Sequence, residues 1–111
     1  MKPEVSIIIP CYNQAHYLPE AVGSVVNQTF THWECIIVND GSSDNTPQIA
    51  NSLIMQYSEK QIRLINQENK GLAETRNAGI KASKGKYILP LDADDLIHPE
   101  MLQKTVSLLK T

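Results

Sequence analysis

Lys86-Tyr-Ile-Leu-Pro-Leu-Asp-Ala-Asp-Asp95 is the stretch on which the fold turns. An apolar run of strand length ends in three carboxylates within four residues. Buried charge is costly unless it is paired or bound to a metal, so a strand does not run on through such a cluster. The segment therefore reads as a buried parallel strand, Tyr87 to Leu91, whose C-terminal end presents Asp92, Asp94 and Asp95 in a crevice. Carboxylate oxygens are the ligands that Mg²⁺ and Mn²⁺ prefer, and Mg²⁺ often takes only one or two of them together with substrate phosphates. The plainer alternative is a solvated acidic turn ahead of a helix opened by His98-Pro99-Glu100. Spacing alone leaves both open.

Upstream of this stretch, strand and helix patterns alternate. Val5 to Pro10 and Trp33 to Val38 are β-branched and almost wholly apolar, as strands buried on both faces are. Ile62 to Ile65 is a shorter third strand. Between them, Leu18, Ala21, Val22, Val25 and Val26 form one helical face from Ala15 onward, and Ala50, Leu53, Ile54 and Tyr57 another. Thr46-Pro47 reads as an N-cap followed by proline at the first helical position. A third helix is expected over Leu72 to Ser83, closed by Lys84-Gly85 with glycine at the C-terminal cap. The last helix runs from about Pro99, with Leu102, Val106 and Leu109 on one face. Four strand–helix units predict an α/β domain: a Rossmann-like open parallel sheet with right-handed crossovers and helices on both faces.

Ligands of such sheets lie beyond the carboxyl ends of the strands, where strand order reverses. Each predicted strand ends in polar residues: Tyr12-Asn13, Asn39-Asp40, Asn66-Gln67-Glu68 and Asp92-Ala93-Asp94. Helix capping accounts for any one of these more comfortably than for all four. Neither Gly-x-Gly-x-x-Gly nor Gly-x-x-x-x-Gly-Lys-Ser/Thr is present, so the glycine cradles of dinucleotide sites and P-loops are excluded. An acidic rim repels a diphosphate unless a divalent ion lies between them and reverses the sign of the interaction. The carboxylates thus predict a metal, and the metal a phosphorylated ligand. Arg76 shares a helical face with Ala73 and Ile80 and is expected to point toward the sheet, its guanidinium suited to phosphate or to a rim carboxylate.

The totals narrow the field. At 111 residues this is one domain, and a net charge of −2 with few aromatics gives no footprint for nucleic acid. No apolar run reaches the roughly 18 residues of a membrane span, and the Met-Lys-Pro-Glu start lacks a signal peptide's apolar centre. A soluble, cytoplasmic chain is expected. Cys11 and Cys35 are too few and too far apart for a Cys-x-x-Cys zinc site and read as core thiols.

Val5-Ser-Ile-Ile-Ile-Pro-Cys-Tyr-Asn13, Val38-Asn-Asp-Gly-Ser-Ser-Asp44, Asn69-Lys-Gly-Leu-Ala-Glu-Thr-Arg-Asn77 and Gly85-Lys-Tyr-Ile-Leu-Pro-Leu-Asp-Ala-Asp-Asp95 together resemble family 2 glycosyltransferases. The resemblance runs from about Val5 to Leu109 and implies the N-terminal half of a GT-A fold, strand order 3-2-1-4, in an inverting, nucleotide-sugar-dependent enzyme. It implies that Pro10 and Tyr12 form the wall against which the nucleotide base packs. Asp40 resembles the base-reading aspartate, which accepts a ring N–H as from uracil; Asp44 is left between assisting it and capping the helix that follows. Arg76 matches the arginine near base and diphosphate, Asp92 the carboxylate that meets the ribose hydroxyls, and Asp94 the metal ligand, for Mn²⁺ or Mg²⁺. Asp95 is left between the metal's surroundings and a helix cap. The donor is expected to be a UDP-sugar, the acceptor a sugar or glycan hydroxyl, and the process cell-wall or polysaccharide biosynthesis, at the cytoplasmic face of the membrane in the intact protein.

Family enzymes continue into a half that receives the acceptor and carries the general base, a carboxylate downstream of the Asp-x-Asp. That base is expected beyond Thr111, so residues 1–111 alone are expected to bind the donor without transferring sugar. A non-catalytic nucleotide-sugar-binding or interaction module of the same fold is the alternative, distinguishable by whether an acidic base motif follows. A metal-dependent nucleotidyltransferase fits less well, because Cys11-Tyr-Asn-Gln14 is not a Gly-rich basic phosphate loop. Without downstream strands, Tyr87 to Leu91 is expected to be an exposed sheet edge and to promote self-association.

Overall fold

The computed structural model describes residues 2–110. Its elements follow one another as β1 (Val5–Cys11), α1 (Leu18–Val26), β2 (Trp33–Asp40), α2 (Thr46–Gln56), β3 (Ile62–Gln67), α3 (Leu72–Ala82), β4 (Tyr87–Pro90) and α4 (Met101–Leu109). The four strands form one parallel sheet in the order β3-β2-β1-β4. This is the expected topology.

Every residue of β1 and β2 is buried, because these central strands are covered on both faces. The two covers are unequal. Val5, Ile7, Ile9, Cys11, Cys35 and Ile37 pack with residues of α1, α2 and α4, whereas Ile8, Ile36 and Val38 form a smaller cluster with Ile65 of β3 and with Ala78 and Ala82 of α3. Alternation of side chains along a strand assigns odd residues of β1 to the first cover and even ones to the second. On the thin side α3 lies very close: a Cβ on Gly79 would stand 2.4 Å from Cγ2 of Ile8. Glycine there permits the contact.

The strand that opens the sequence reading is less buried than its apolar composition suggests, and it stands at the edge of the sheet, as expected. β4 alternates between half-buried Tyr87 and Leu89, which pack toward α1 and α4, and exposed Ile88 and Pro90 on the α3 side. The cause is position: β4 pairs with β1 alone and forms one edge of the sheet.

Boundaries shift where a side chain outside the element decides them. β2 and β3 run on to Asp40 and Gln67, since the parallel pairing continues through Asn39↔Asn66 and Asp40↔Gln67. α1 starts at Leu18 rather than Ala15, because Gln14 to Tyr17 form a turn closed by the Tyr17 amide on the Gln14 carbonyl at 3.0 Å. Asn45, not Thr46, occupies the N-cap of α2, and Asp44 supplies the capping oxygen to the amide and hydroxyl of Thr46. α3 ends at Ser83 in extended conformation, without a left-handed glycine. Gly85 serves another purpose: a Cβ there would lie 2.5 Å from Oγ of Ser6. That hydroxyl accepts the Gly85 amide at 2.8 Å and donates to buried Glu34 at 2.6 Å. Glu34 also accepts the Lys84 amide and the Arg63 guanidinium, so this knot ties α3 and β4 to the start of the sheet.

Candidate functional site

The carboxyl ends of the strands surround a cavity of about 360 Å³ lined by Pro10, Cys11, Tyr12, Gln14, Asp40, Asn69, Gly71, Leu72, Thr75, Asp92 and Asp94. It opens where the order reverses, between β1 and β4. The Leu91 amide donates to the Ile8 carbonyl at 2.8 Å, and this is the last rung before the two strands part. Pro10 is the next residue of β1 on that side. Having no N–H, it leaves no unsatisfied donor at the mouth.

Asp40 stands on one wall and is only 4% exposed. Its Oδ1 accepts Nε2 of Gln67 at 3.0 Å and the Lys70 amide at 2.7 Å; its Oδ2 accepts the Gly71 amide at 3.1 Å and Nδ2 of Asn69 at 3.3 Å. Burial pushes this carboxyl up, and the donors from Gln67, Lys70 and Gly71 outweigh it, holding the group below its ordinary value of 3.8. The carboxylate thereby shapes the β3–α3 loop, whose Gly71 turns at φ +92° into α3. Sequence reasoning singled out Asp40 and placed Gln67 on the rim, but gave no role to Asn69 or to Thr75 of α3, which complete this wall. That these residues share one partner, about thirty residues upstream, was not visible.

On the opposite wall, Asp92-Ala93-Asp94 alternates as a strand would. Ala93 is fully buried, while the flanking carboxylates turn outward. Asp92, Asp94 and Asp95 each offer an oxygen, and these oxygens lie within 4.8 Å of one another. Three hard oxygen donors in one turn fit Mg²⁺ or Mn²⁺, which neutralise a like-charge cluster that otherwise repels itself. Downstream, Ile97 donates its amide to Oγ of Ser24, and Gln28 donates to the His98 carbonyl at 2.7 Å and accepts the Leu102 amide at 3.1 Å. α1 thus anchors the far end of the acidic loop.

Arg76 reaches this loop by a different route from the one expected. Ala73 and Ile80 are exposed; the inward face of α3 is Thr75 and Gly79. Arg76 lies beside that face, and its guanidinium pairs with Oδ1 of Asp92 at 3.0 Å. Both side chains are more than a third exposed, so this pair orients Asp92 rather than adding much stability. The Nε of Arg76 is buried without a hydrogen-bond partner.

Asp44 is the one expected residue whose oxygens turn elsewhere. Oδ1 caps α2 at Thr46 and Oδ2 accepts the Ala15 amide at 3.1 Å, so the side chain joins the loops after β1 and β2. Burial pushes it up, and the donors from Thr46 and Ala15 hold it below its ordinary value of 3.8. It does not line the cavity. Pro10, Tyr12, Asp40, Asp92 and Asp94 are brought together around the cavity, with Arg76 beside Asp92.

A parallel sheet of this order, with a carboxylate-lined cavity at its switch point, is the arrangement of the GT-A class of glycosyltransferase folds. The match is wider than architecture. The family described as Glycosyl transferase family 2 matches residues 6–111, and the chain belongs to it. Glycosyltransferase GlyG of Streptococcus pneumoniae is 38% identical over 104 residues, covering 93% of this chain and 34% of its own length. The chondroitin synthase of Pasteurella multocida is 41% identical over 101 residues, covering 91% of this chain and 10% of its own. Among solved structures, Staphylococcus aureus TarS in complex with UDP-GlcNAc aligns at a TM-score of 0.85 and 28% identity, over 96% of this chain and 31% of that one. The mannosyltransferase PcManGT from Pyrobaculum calidifontis, in complex with GDP-Man and Mn²⁺, aligns over the whole chain and 33% of its own at a TM-score of 0.92 and 24% identity, a likeness of fold. The chain spans about a third of the length of the first curated relatives it matches. No helix among the described residues is long and apolar enough to cross a membrane.

Proposed function

We propose that residues 1–111 form the donor-binding part of an inverting glycosyltransferase that moves a sugar from a nucleoside diphosphate to an acceptor hydroxyl. The carrying observation is the cavity at the strand switch, with Pro10, Tyr12 and Asp40 on one side and the Asp92-Asp94-Asp95 cluster on the other. The base packs on Tyr12 and Pro10. Its ring N–H goes to Asp40 in place of the Asn69 amide, the longest of the four donors to that carboxylate. Asp92, oriented by Arg76, meets the ribose hydroxyls. Asp94 holds the divalent ion with help from Asp95, and Arg76 faces the diphosphate. Asp44 supports the base-binding loop from behind by joining it to the one after β2.

A bound divalent cation supplies Lewis-acid stabilisation of the departing diphosphate. The carboxylates that line the cavity already have work: Asp40 is saturated by donors, Asp92 is paired with Arg76 and Asp94 belongs to the cluster. The general base for the acceptor is therefore proposed to come from outside residues 1–111, and the isolated chain to bind donor without transferring sugar. Uridine is favoured because TarS, at 28% identity, has been solved with UDP and with UDP-GlcNAc. The acceptor is a sugar or glycan, in line with the polysaccharide synthases among the relatives. Cytoplasmic residence accords with two free cysteines that burial keeps as thiols, Cys35 being pushed up to about 12. For the isolated polypeptide, self-association along the unpaired edge of β4 is proposed, and light scattering showing a monomer across the micromolar range would remove it.

The direct test is a thermal-shift screen of UDP, GDP, CDP and dTDP, each with Mn²⁺ and with EDTA. UDP with Mn²⁺ is expected to stabilise the chain most, and EDTA to abolish the effect. No stabilisation by any nucleotide in the presence of Mn²⁺ sinks the reading.

A further inference from the structure

Asn13 is the one non-glycine residue at positive φ among the described residues, at +53°. Asparagine visits this left-handed region more readily than most residues, yet it is still an uncommon conformation that its surroundings must hold. Here they do. The Oδ1 of Asn13 accepts the Ser43 amide at 2.8 Å, the Ser43 hydroxyl at 3.3 Å and the Asp44 amide at 3.3 Å. Its own amide donates to Oγ of Ser42 at 3.0 Å, and the Ser42 amide donates to Oδ1 of Asn39 at 3.1 Å. Asn39 in turn donates to Asn66 at 3.0 Å. The ends of β1, β2 and β3 are thereby joined in one line of hydrogen bonds that passes through Asn13.

This line does not touch the cavity. Pro10, Cys11, Tyr12 and Gln14 line it; Asn13 does not. What Asn13 governs is its neighbour. Tyr12 is the first residue beyond β1 and lines the cavity together with Cys11, the last residue of the strand. The left-handed turn at Asn13 then carries the chain back toward α1. Tyr12 is left at that corner half exposed, with no side-chain hydrogen bond or ring partner among the described residues. Its direction is set by the backbone, and the backbone is set by Asn13.

We propose that Asn13 is a positioning residue for the nucleotide base: its left-handed backbone and its carboxamide clamp hold Tyr12 against the cavity before a ligand arrives. The proposal rests on the reading of Tyr12 as the base platform. It adds that the platform is pre-organised by a residue that never meets the ligand.

The test compares two probes on the 111-residue chain with Mn²⁺: UDP, which has a base, and inorganic pyrophosphate, which has none. Asn13→Gly keeps the left-handed backbone accessible and deletes the clamp. It is expected to weaken UDP about tenfold, as removal of a base–aromatic contact does, and to leave pyrophosphate unchanged. Asn13→Asp keeps the acceptor oxygens and is expected to restore most of the UDP affinity. In a cycle with Tyr12→Ala, the double variant is expected to be no weaker for UDP than Tyr12→Ala alone. Should Asn13→Gly fail to fold, Ser42→Ala, which removes the bond to the Asn13 backbone amide and the long one to the Cys11 carbonyl, carries the same pair of measurements. Equal weakening of UDP and pyrophosphate, or losses that add in the cycle, overturns the positioning role. A parent chain that binds manganese pyrophosphate as well as it binds manganese UDP overturns the base-platform reading itself, an outcome visible before any variant is made.

Discussion

Replacing Asp40 by asparagine tests the wall of the cavity with a change of one atom. Asparagine keeps one oxygen and puts an NH₂ group where the other was. Oδ1 now accepts the Lys70 amide and Oδ2 the Gly71 amide, so whichever way the new amide is turned, a donor faces a backbone donor. One buried N–H is left unsatisfied and a second bond loses its charge assistance. At ~1–3 kcal/mol for a buried unsatisfied donor, the expected loss is about 2–3 kcal/mol. For a domain of this size that corresponds to a melting temperature lower by about 10 °C. Circular dichroism melts at neutral pH measure it directly. The pH dependence supplies a second check. Asp40 has a folded-state carboxyl held below its ordinary value of 3.8, so it contributes stability above that value and loses it as pH falls through the folded one. The gap between parent and Asp40→Asn is therefore expected to stay constant down to about pH 4 and to narrow below it. A variant melting within about 2 °C of the parent at neutral pH would refute the account of Asp40 as the organiser of the β3–α3 loop.

Asp94→Asn is expected to leave the melting temperature of the ligand-free chain nearly unchanged, because Asp94 is exposed, and to remove most of the Mn²⁺-dependent stabilisation by UDP; parent-like stabilisation contradicts the metal assignment. Gly79→Ala forces a methyl group to within 2.4 Å of Cγ2 of Ile8 and is expected to cost ~1–3 kcal/mol, read as a lower denaturation midpoint; an unchanged midpoint would mean that α3 rides free of the sheet. Glu34→Gln turns an NH₂ group on one of the donors from Ser6, Lys84 or Arg63. Although burial pushes Glu34 up, those donors hold it below 4.5, so the stability it contributes is present at neutral pH and is lost as pH falls below that value. The variant is expected to melt lower at neutral pH, with a gap that closes in acid; a gap independent of pH argues against an ionised Glu34.

Much of this protein was settled by local sequence. Apolar β-branched runs alternating with helical stripes dictated four strand–helix units, because burial on both faces of a parallel sheet leaves no other pattern for β1 and β2. The order β3-β2-β1-β4 was expected from the resemblance to the family, not from the pattern of elements, and it is the order observed, with the carboxylates on one rim. Asp92 and Asp94 were legible because an apolar strand run ends abruptly in carboxylates there, a place where buried charge needs a partner or a metal. Partners distant along the chain were decided only by the tertiary structure. The cap that Asp44 gives Thr46 was open to a local reading, but nothing local says that its other oxygen holds the Ala15 amide, that Asp40 is filled by a loop about thirty residues downstream, or that Glu34 accepts the amide of Lys84. The face of α3 belongs here too: Thr75 and Gly79 point inward and Ile80 outward, since the thin side of the sheet admits only small side chains where α3 crosses Ile8 and Val38. Hydrophobic periodicity assigns an apolar face by composition, whereas the space left between a helix and a sheet assigns it by volume. On this thin side volume decides, and a hydrogen bond likewise belongs to whichever donor the fold brings within reach.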